Sequence, residues 1–161
     1  MKQITIAIVM LFSVSVFAQT NGDLTKHYKT YYKQMKKQGD VQGIINAMTH
    51  LNILEPSAAR QDTLAYLYLS EGKYMQALNT IGVEKNATDT DMNVEVKALA
   101  LKNLNQPKMA LEHYEILYSR SSNVYLAYEM ADMKIQTNDL VGAKLNIDYA
   151  LTNVKDDMKR T

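Results

Sequence analysis

Three histidines, His27, His50 and His113, are the side chains of this sequence best suited to hold a metal or move a proton, and none has a second ligand at helical metal spacing. Each is read as a surface residue. Asp89-Thr90-Asp91-Met92-Asn93 alternates like the start of a calcium loop. Val94, however, stands where that loop needs glycine, and Ala100 stands where it needs its closing glutamate. Glu112 and Glu115 flank His113, but the chain offers them no nucleophile and no glycine-rich phosphate loop. Cysteine is absent, which excludes disulfides, thiolate metal sites, a thiol nucleophile and a lipid-bearing cysteine. The sequence therefore predicts no catalytic residues, no cofactor and no metal. Its expected chemistry is non-covalent recognition.

Two residue types could carry recognition. Lys26, Lys29, Lys33, Lys36 and Lys37 follow helical spacing, and no carboxylate interrupts them between Asp23 and Asp40. Like charges this close repel, so the stripe is either a solvated helix face or a seat for an acidic partner. The chain also has 11 tyrosines, whose rings offer large contact area for little lost entropy. Overall charge is only +1, and a basic excess this small argues against general nucleic-acid binding.

The elements that must position these residues are declared by a repeat. Gly39, Gly72, Asn105 and Asn138 recur every 33 residues, and five residues after each come Ile44, Ala77, Ala110 and Ala143. Tyr32, Ala65, Ala98 and Ala131 lie seven residues before each turn, and Met48, Ile81, Tyr114 and Ile147 lie four after each contact residue. Four phased sets mark an array of helical hairpins. Gly and Asn most readily take the left-handed conformation that closes a helix, and small residues let paired helices approach. The first helix is expected from about Leu24, capped by Asp23, to Gln38; the second is capped by Asp40 and stopped at Glu55-Pro56. Ser57 opens Ala58 to Glu71, and Tyr74, Ala77, Leu78 and Ile81 line the returning helix. The third unit pairs Met92–Leu104 with a helix begun by Pro107, and the fourth pairs Val124–Thr137 with a helix from Asp139 to about Val154. Tyr68, Tyr74 and Tyr114 fall on packing positions.

The stretch from Leu64 to Leu78 resembles a tetratricopeptide repeat (TPR), in which a Gly turn is followed by an aromatic two residues on and an Ala five residues on: here Gly72, Tyr74 and Ala77. The third unit keeps Ala98, Ala110 and Tyr114 but puts Asn105 and Pro107 at the other two stations. The first and fourth units depart further, with Ile44 at the small position and Lys134 at a large apolar one. The resemblance covers roughly residues 25 to 155. It implies an all-α fold, a right-handed superhelical stack of about four helix-turn-helix repeats, or α-solenoid, with repeats near 24–56, 57–90, 91–122 and 123–155 of a domain spanning 19–161.

The resemblance also implies that the first helix of each pair lines a concave groove. Carried over position by position, the groove residues are Lys26, Lys29, Lys33 and Lys36 in the first unit, then Asp62, Tyr66 and Leu69 in the second. The third contributes Glu95, Leu99 and Lys102, and the fourth Tyr125, Tyr128, Asp132 and Ile135. Such a groove is basic at one end and aromatic at the other, suited to a peptide with an acidic and an apolar portion. The family's clamp for a terminal carboxylate is not expected, because Lys29 fits one of its positions while Lys33, Thr63, Met92 and Val96 occupy the others.

Residues 1–18 are read as a secretory signal peptide: Lys2 supplies charge, Ile4 to Phe17 an uncharged apolar stretch, and Val16-Phe17-Ala18 a cleavage site. That stretch is too short for a stable membrane span. The expected protein is an exported bacterial interaction module, periplasmic or secreted, that binds a peptide or protein of the cell envelope. The alternative is a structural subunit that self-associates or docks through an uncapped C-terminal repeat, where Val141 and Leu145 are expected to be exposed.

Overall fold

A computed structural model describes residues 21–157, with side-chain surroundings through residue 154. The signal peptide expected at 1–18 and the last residues of the tail lie outside that range. The described residues form eight helical segments and no strand: α1 (21–38), α2 (Val41–Leu54), α3 (Ala58–Ser70), α4 (Tyr74–Ile81), α5 (Asp91–Asn103), α6 (Pro107–Arg120), α7 (Val124–Gln136) and α8 (Leu140–Asp157). They fall into two compact units that divide after Leu64, within α3.

The four turn stations are one motif repeated. Gly39, Gly72, Asn105 and Asn138 have φ of 71°, 70°, 57° and 65°. Each N–H bonds to a carbonyl three residues back, and the next N–H reaches five residues back: Asp40 to Met35 (3.0 Å), Lys73 to Tyr68 (2.8 Å), Gln106 to Leu101 (2.9 Å) and Asp139 to Lys134 (2.8 Å). This Schellman closure satisfies carbonyls that a helix end would otherwise leave bare. Side-chain caps then restart the chain: Asp40 accepts from the Gly43 N–H, Thr90 from Asn93, Asn123 from Leu126 and Asp139 from Gly142. Thr90 thus starts α5 one residue earlier than the expected Met92. One cap expectation fails, because α1 is already helical at residue 21 and Asp23 lies inside it. Each residue added to a formed helix gains a hydrogen bond, so a candidate cap cannot stop it alone.

In the first unit Met35, Ile45, Ala47, Met48, Leu51 and Leu64 are buried. Gly43 is buried, and an added Cβ there would collide with the Met35 side chain, while the neighbouring Ile44 is half-buried. The Tyr28 ring stacks on His50 at 4.3 Å, and the Arg60 guanidinium closes the end of α2 by donating to the Leu51 carbonyl (2.9 Å).

In the second unit consecutive helices from α4 to α8 pack against one another. Ala65, Ala77, Ala98 and Ala110 are wholly buried, and Ala131 and Ala143 nearly so. Leu78, Val94, Leu101, Tyr114, Leu117, Leu126, Met130 and Met133 fill the space between helices. Tyr68 and Tyr74 are half-buried against this core, and Tyr114 is fully enclosed.

The long connection between α4 and α5 is held from beneath by an ion pair. The Lys97 ammonium, fully buried, donates to Asp89 (2.7 Å) and to the Glu84 carbonyl (2.8 Å), while Arg120 donates to Asp91 (2.7 Å) and to the Asp89 carbonyl (3.2 Å). His113 is not the surface residue its sequence context suggested. It is buried, with Nε2 3.1 Å from the Val83 carbonyl, because its position on α6 faces that same connection. Burial lowers its pKa below the ordinary histidine value despite the Val83 bond.

Two measurements check this packing. Ala110→Leu forces a larger side chain into a closed contact and should cost about 1–3 kcal/mol in urea unfolding. A histidine held neutral in the folded state makes stability fall as pH drops below about 6.5, because the unfolded chain takes up the proton first. His113→Gln should flatten the stability–pH curve on that acid side relative to wild type; an unchanged slope would place the titration elsewhere.

Candidate functional site

On α5, Glu95, Leu99 and Lys102 share one helical face, and on α7 Tyr125, Tyr128 and Asp132 share another. Lys102 joins the two helices. Its ammonium donates to Glu129 at 2.6 Å and to Asp132 at 3.2 Å. Burial works against the Lys102 charge, yet the bonds and charges of Glu129 and Asp132 outweigh it and raise the pKa above the ordinary lysine value. Glu129 is buried and was not among the expected site residues. A glutamate on an otherwise apolar helix face, four residues from Tyr125 and three from Asp132, was the available signal.

Beside this bridge a cavity of about 180 Å³ opens between α5, α6 and α7, walled by Glu95, Leu99, Tyr114, Leu117, Tyr125 and Leu126 among others. Tyr125 is 53 % and Tyr128 64 % exposed, so both rings present surface outward. Burial, then the Glu129 carboxylate, push the Tyr125 hydroxyl pKa up. Tyr114 is 1 % exposed, and its hydroxyl lies near the Glu129 carboxylate without closing a well-formed hydrogen bond. Burial drives its pKa well above the phenolic range, with Glu129 adding to the effect.

The other expected residues are distributed as follows. Tyr66 is 51 % exposed on α3, and Leu69 is half-buried and packs against the core. Ile135 is exposed on α7. In the first unit Lys26, Lys29 and Lys33 line a shallow hollow with Thr25, Thr30, Leu54 and Glu55, and Lys36 is exposed farther along α1. Lys29 pairs with Glu55 at 2.9 Å, which removes one charge from the stripe. Asp62 is half-buried on α3. Lys26, Lys29, Lys33, Lys36 and Asp62 belong to the first compact unit and the remaining residues to the second.

Among the described residues no group of three His, Asp or Glu side chains is placed to hold a metal ion, and no helix is long and apolar enough to cross a membrane.

No family model and no curated protein matches the sequence. Among solved structures the chain is similar to the one titled "MamA RS-1 ArsTM double mutant", with a TM-score of 0.69 and 13 % identity, over 83 % of this chain and 76 % of that one. MamA is a TPR-containing protein. The fold is all-helical and of TPR-like α-solenoid class, as the phased turns and alanines require.

The Lys102 bridge is testable by removing one end at a time. Lys102→Met leaves Glu129 buried without its cation and should destabilise the protein by about 1–3 kcal/mol, less than a fully buried pair because Lys102 is itself partly solvated. Adding Glu129→Leu should restore most of the loss in thermal unfolding. A silent single variant would show that the bridge does not hold α5 to α7.

Proposed function

We propose that this chain is a TPR-type interaction module that holds a peptide or protein segment of the cell envelope, with the α5–α7 face as its principal seat. One observation carries the reading: Tyr125 stands exposed on the wall of a cavity and Tyr128 is exposed one turn along the same side of α7, on a hairpin whose packing positions are already filled by other residues. Exposed tyrosines next to a concavity are typical anchors for a partner, since they desolvate large area at low entropic cost. The TPR-like fold supports protein partners in general and does not by itself supply the rest.

The lysine hollow of the first unit offers a second seat, for an acidic portion of the same or another partner. Among the described residues only Lys29 of the stripe is paired, so Lys26, Lys33, Lys36 and Lys37 keep a positive field around it. Export rests on the composition of residues 1–18, a charged start followed by an uncharged apolar run. Absence of catalytic chemistry is part of the same reading.

A second reading, assembly through the C-terminal hairpin, is favoured by α8. Val141 is 77 %, Leu145 67 % and Leu151 71 % exposed on that helix, and Ile147, whose counterpart Tyr114 is buried, is exposed too. Val141 and Leu145 on one side of the helix and Ile147 and Leu151 on another, with the Lys144–Asp148 pair between them, leave apolar surface of the kind used in docking or self-association.

Capture of the tagged chain beginning after Ala18 from its native envelope separates the two. The groove reading expects a co-purifying protein that is lost, by at least about tenfold in affinity, from Tyr125→Ser/Tyr128→Ser. Lys29→Glu/Lys33→Glu should weaken the same partner if its acidic portion sits in the hollow. The assembly reading expects only the chain itself, in oligomers that Leu145→Lys dissolves without unfolding the monomer. Recovery of a partner indifferent to both tyrosines would overturn the principal proposal.

A further inference from the structure

We infer that the cavity between α5, α6 and α7 takes one basic side chain, a lysine or arginine, of the bound segment. The inference rests on the proposed interaction function and adds to it the chemistry of the residue that is read.

Size comes first. At about 180 Å³ the cavity falls below the roughly 300–1,000 Å³ of small-molecule sites and accommodates a single long side chain. Charge decides which kind. Two carboxylates, Asp91 and Glu95, stand on its wall and no cation does; the cations that pair with this wall and with the neighbouring turns of α7 are Arg120 and Lys102. Both cations are already engaged, Arg120 with Asp91 and Lys102 with Glu129 and Asp132. Glu95 lies on the cavity wall with no cation beside it among the described residues, so the site carries a surplus of negative charge. An acidic ligand is repelled, and a purely apolar one would strip water from Glu95 without replacing its bonds.

The rest of the wall matches a basic side chain part by part. Leu99, Leu117 and Leu126 offer apolar surface for an aliphatic stem, and the exposed Tyr125 ring offers a face on which a cation is attracted. The wall also carries a buried polar atom. Tyr114 lines the cavity and is 1 % exposed; its hydroxyl stands near the Glu129 carboxylate without closing a well-formed hydrogen bond, which leaves its oxygen free to accept. A buried hydroxyl is ordinarily bonded, and one left open at a cavity is satisfied when a ligand arrives. An ammonium or guanidinium N–H can donate to its oxygen while Glu95 supplies the countercharge.

The test is an NMR titration of the folded chain beginning after Ala18 with three probes: N-acetyl-arginine amide, N-acetyl-leucine amide and N-acetyl-glutamate amide. Arginine amide should shift the signals of Glu95, Leu99 and Tyr125 with a dissociation constant on the order of millimolar, as expected for about fifteen heavy atoms, and weaken with added salt. Glu95→Gln should weaken it about fivefold. Tyr114→Phe keeps the ring and removes only the hydroxyl, and should also weaken arginine binding while leaving the fold intact. Equal or stronger shifts from the leucine or glutamate probe, or arginine binding indifferent to Glu95→Gln, would overturn the assignment. If arginine amide fails while a captured partner still depends on Tyr125 and Tyr128, the pocket is wrong and the interaction function stands. If arginine amide binds as expected but no partner is captured, the function is wrong and the pocket stands.

Discussion

The structure depends on helices approaching one another where no side chain extends beyond a Cβ. Ala65, Ala77, Ala98 and Ala110 are wholly buried, and Ala131 and Ala143 keep the same stations in the last hairpin. Close approach at those points lets Leu78, Leu101, Tyr114 and Met133 interlock around them, and it fixes which face of each helix is spent on packing. The turn stations serve the same constraint. A left-handed residue followed by a helix restart returns the chain at a set angle after a set number of residues, so the alanines meet in register.

The faces left over acquire their properties from this packing. Because α5 and α7 use their alanine faces internally, Glu95, Leu99 and Lys102 come to stand near Tyr125, Glu129 and Asp132, and a bridge through Lys102 ties the helices on the same side. Tyr114 links the core to that side, since it belongs to the interior cluster and also lines the cavity. At α8 no later hairpin follows among the described residues, so stations that are buried earlier in the chain are open there.

Much of the fold was legible in the sequence because its signals are local. A positive φ selects Gly or Asn wherever it occurs, and Gly39, Gly72, Asn105 and Asn138 could be placed from residue type and spacing alone. Asp40 as a cap and Pro107 at the start of α6 were legible for the same reason. Features that depend on residues distant in sequence were not. Nothing in the sequence marks Lys97, whose burial depends on Asp89 and the Glu84 carbonyl, and His113 reads as exposed until Val83 covers it. The packing of Gly43 against the Met35 side chain was likewise not legible, because it depends on where α1 lies. At the candidate site Tyr125 and Tyr128 were named from the resemblance to the tetratricopeptide repeat, whereas the burial of Glu129 beside Lys102 and Tyr114 required three helices to be set together.

The most direct measurement of the alanine register is a set of nuclear Overhauser contacts among alanine methyls in a selectively labelled sample. The account predicts cross-peaks linking Ala65 with Ala77 and Ala98 with Ala110, and none between Ala77 and Ala143, which lie two hairpins apart in the series. Absence of the first two contacts in a folded, helical sample, or a strong Ala77–Ala143 contact, would contradict it.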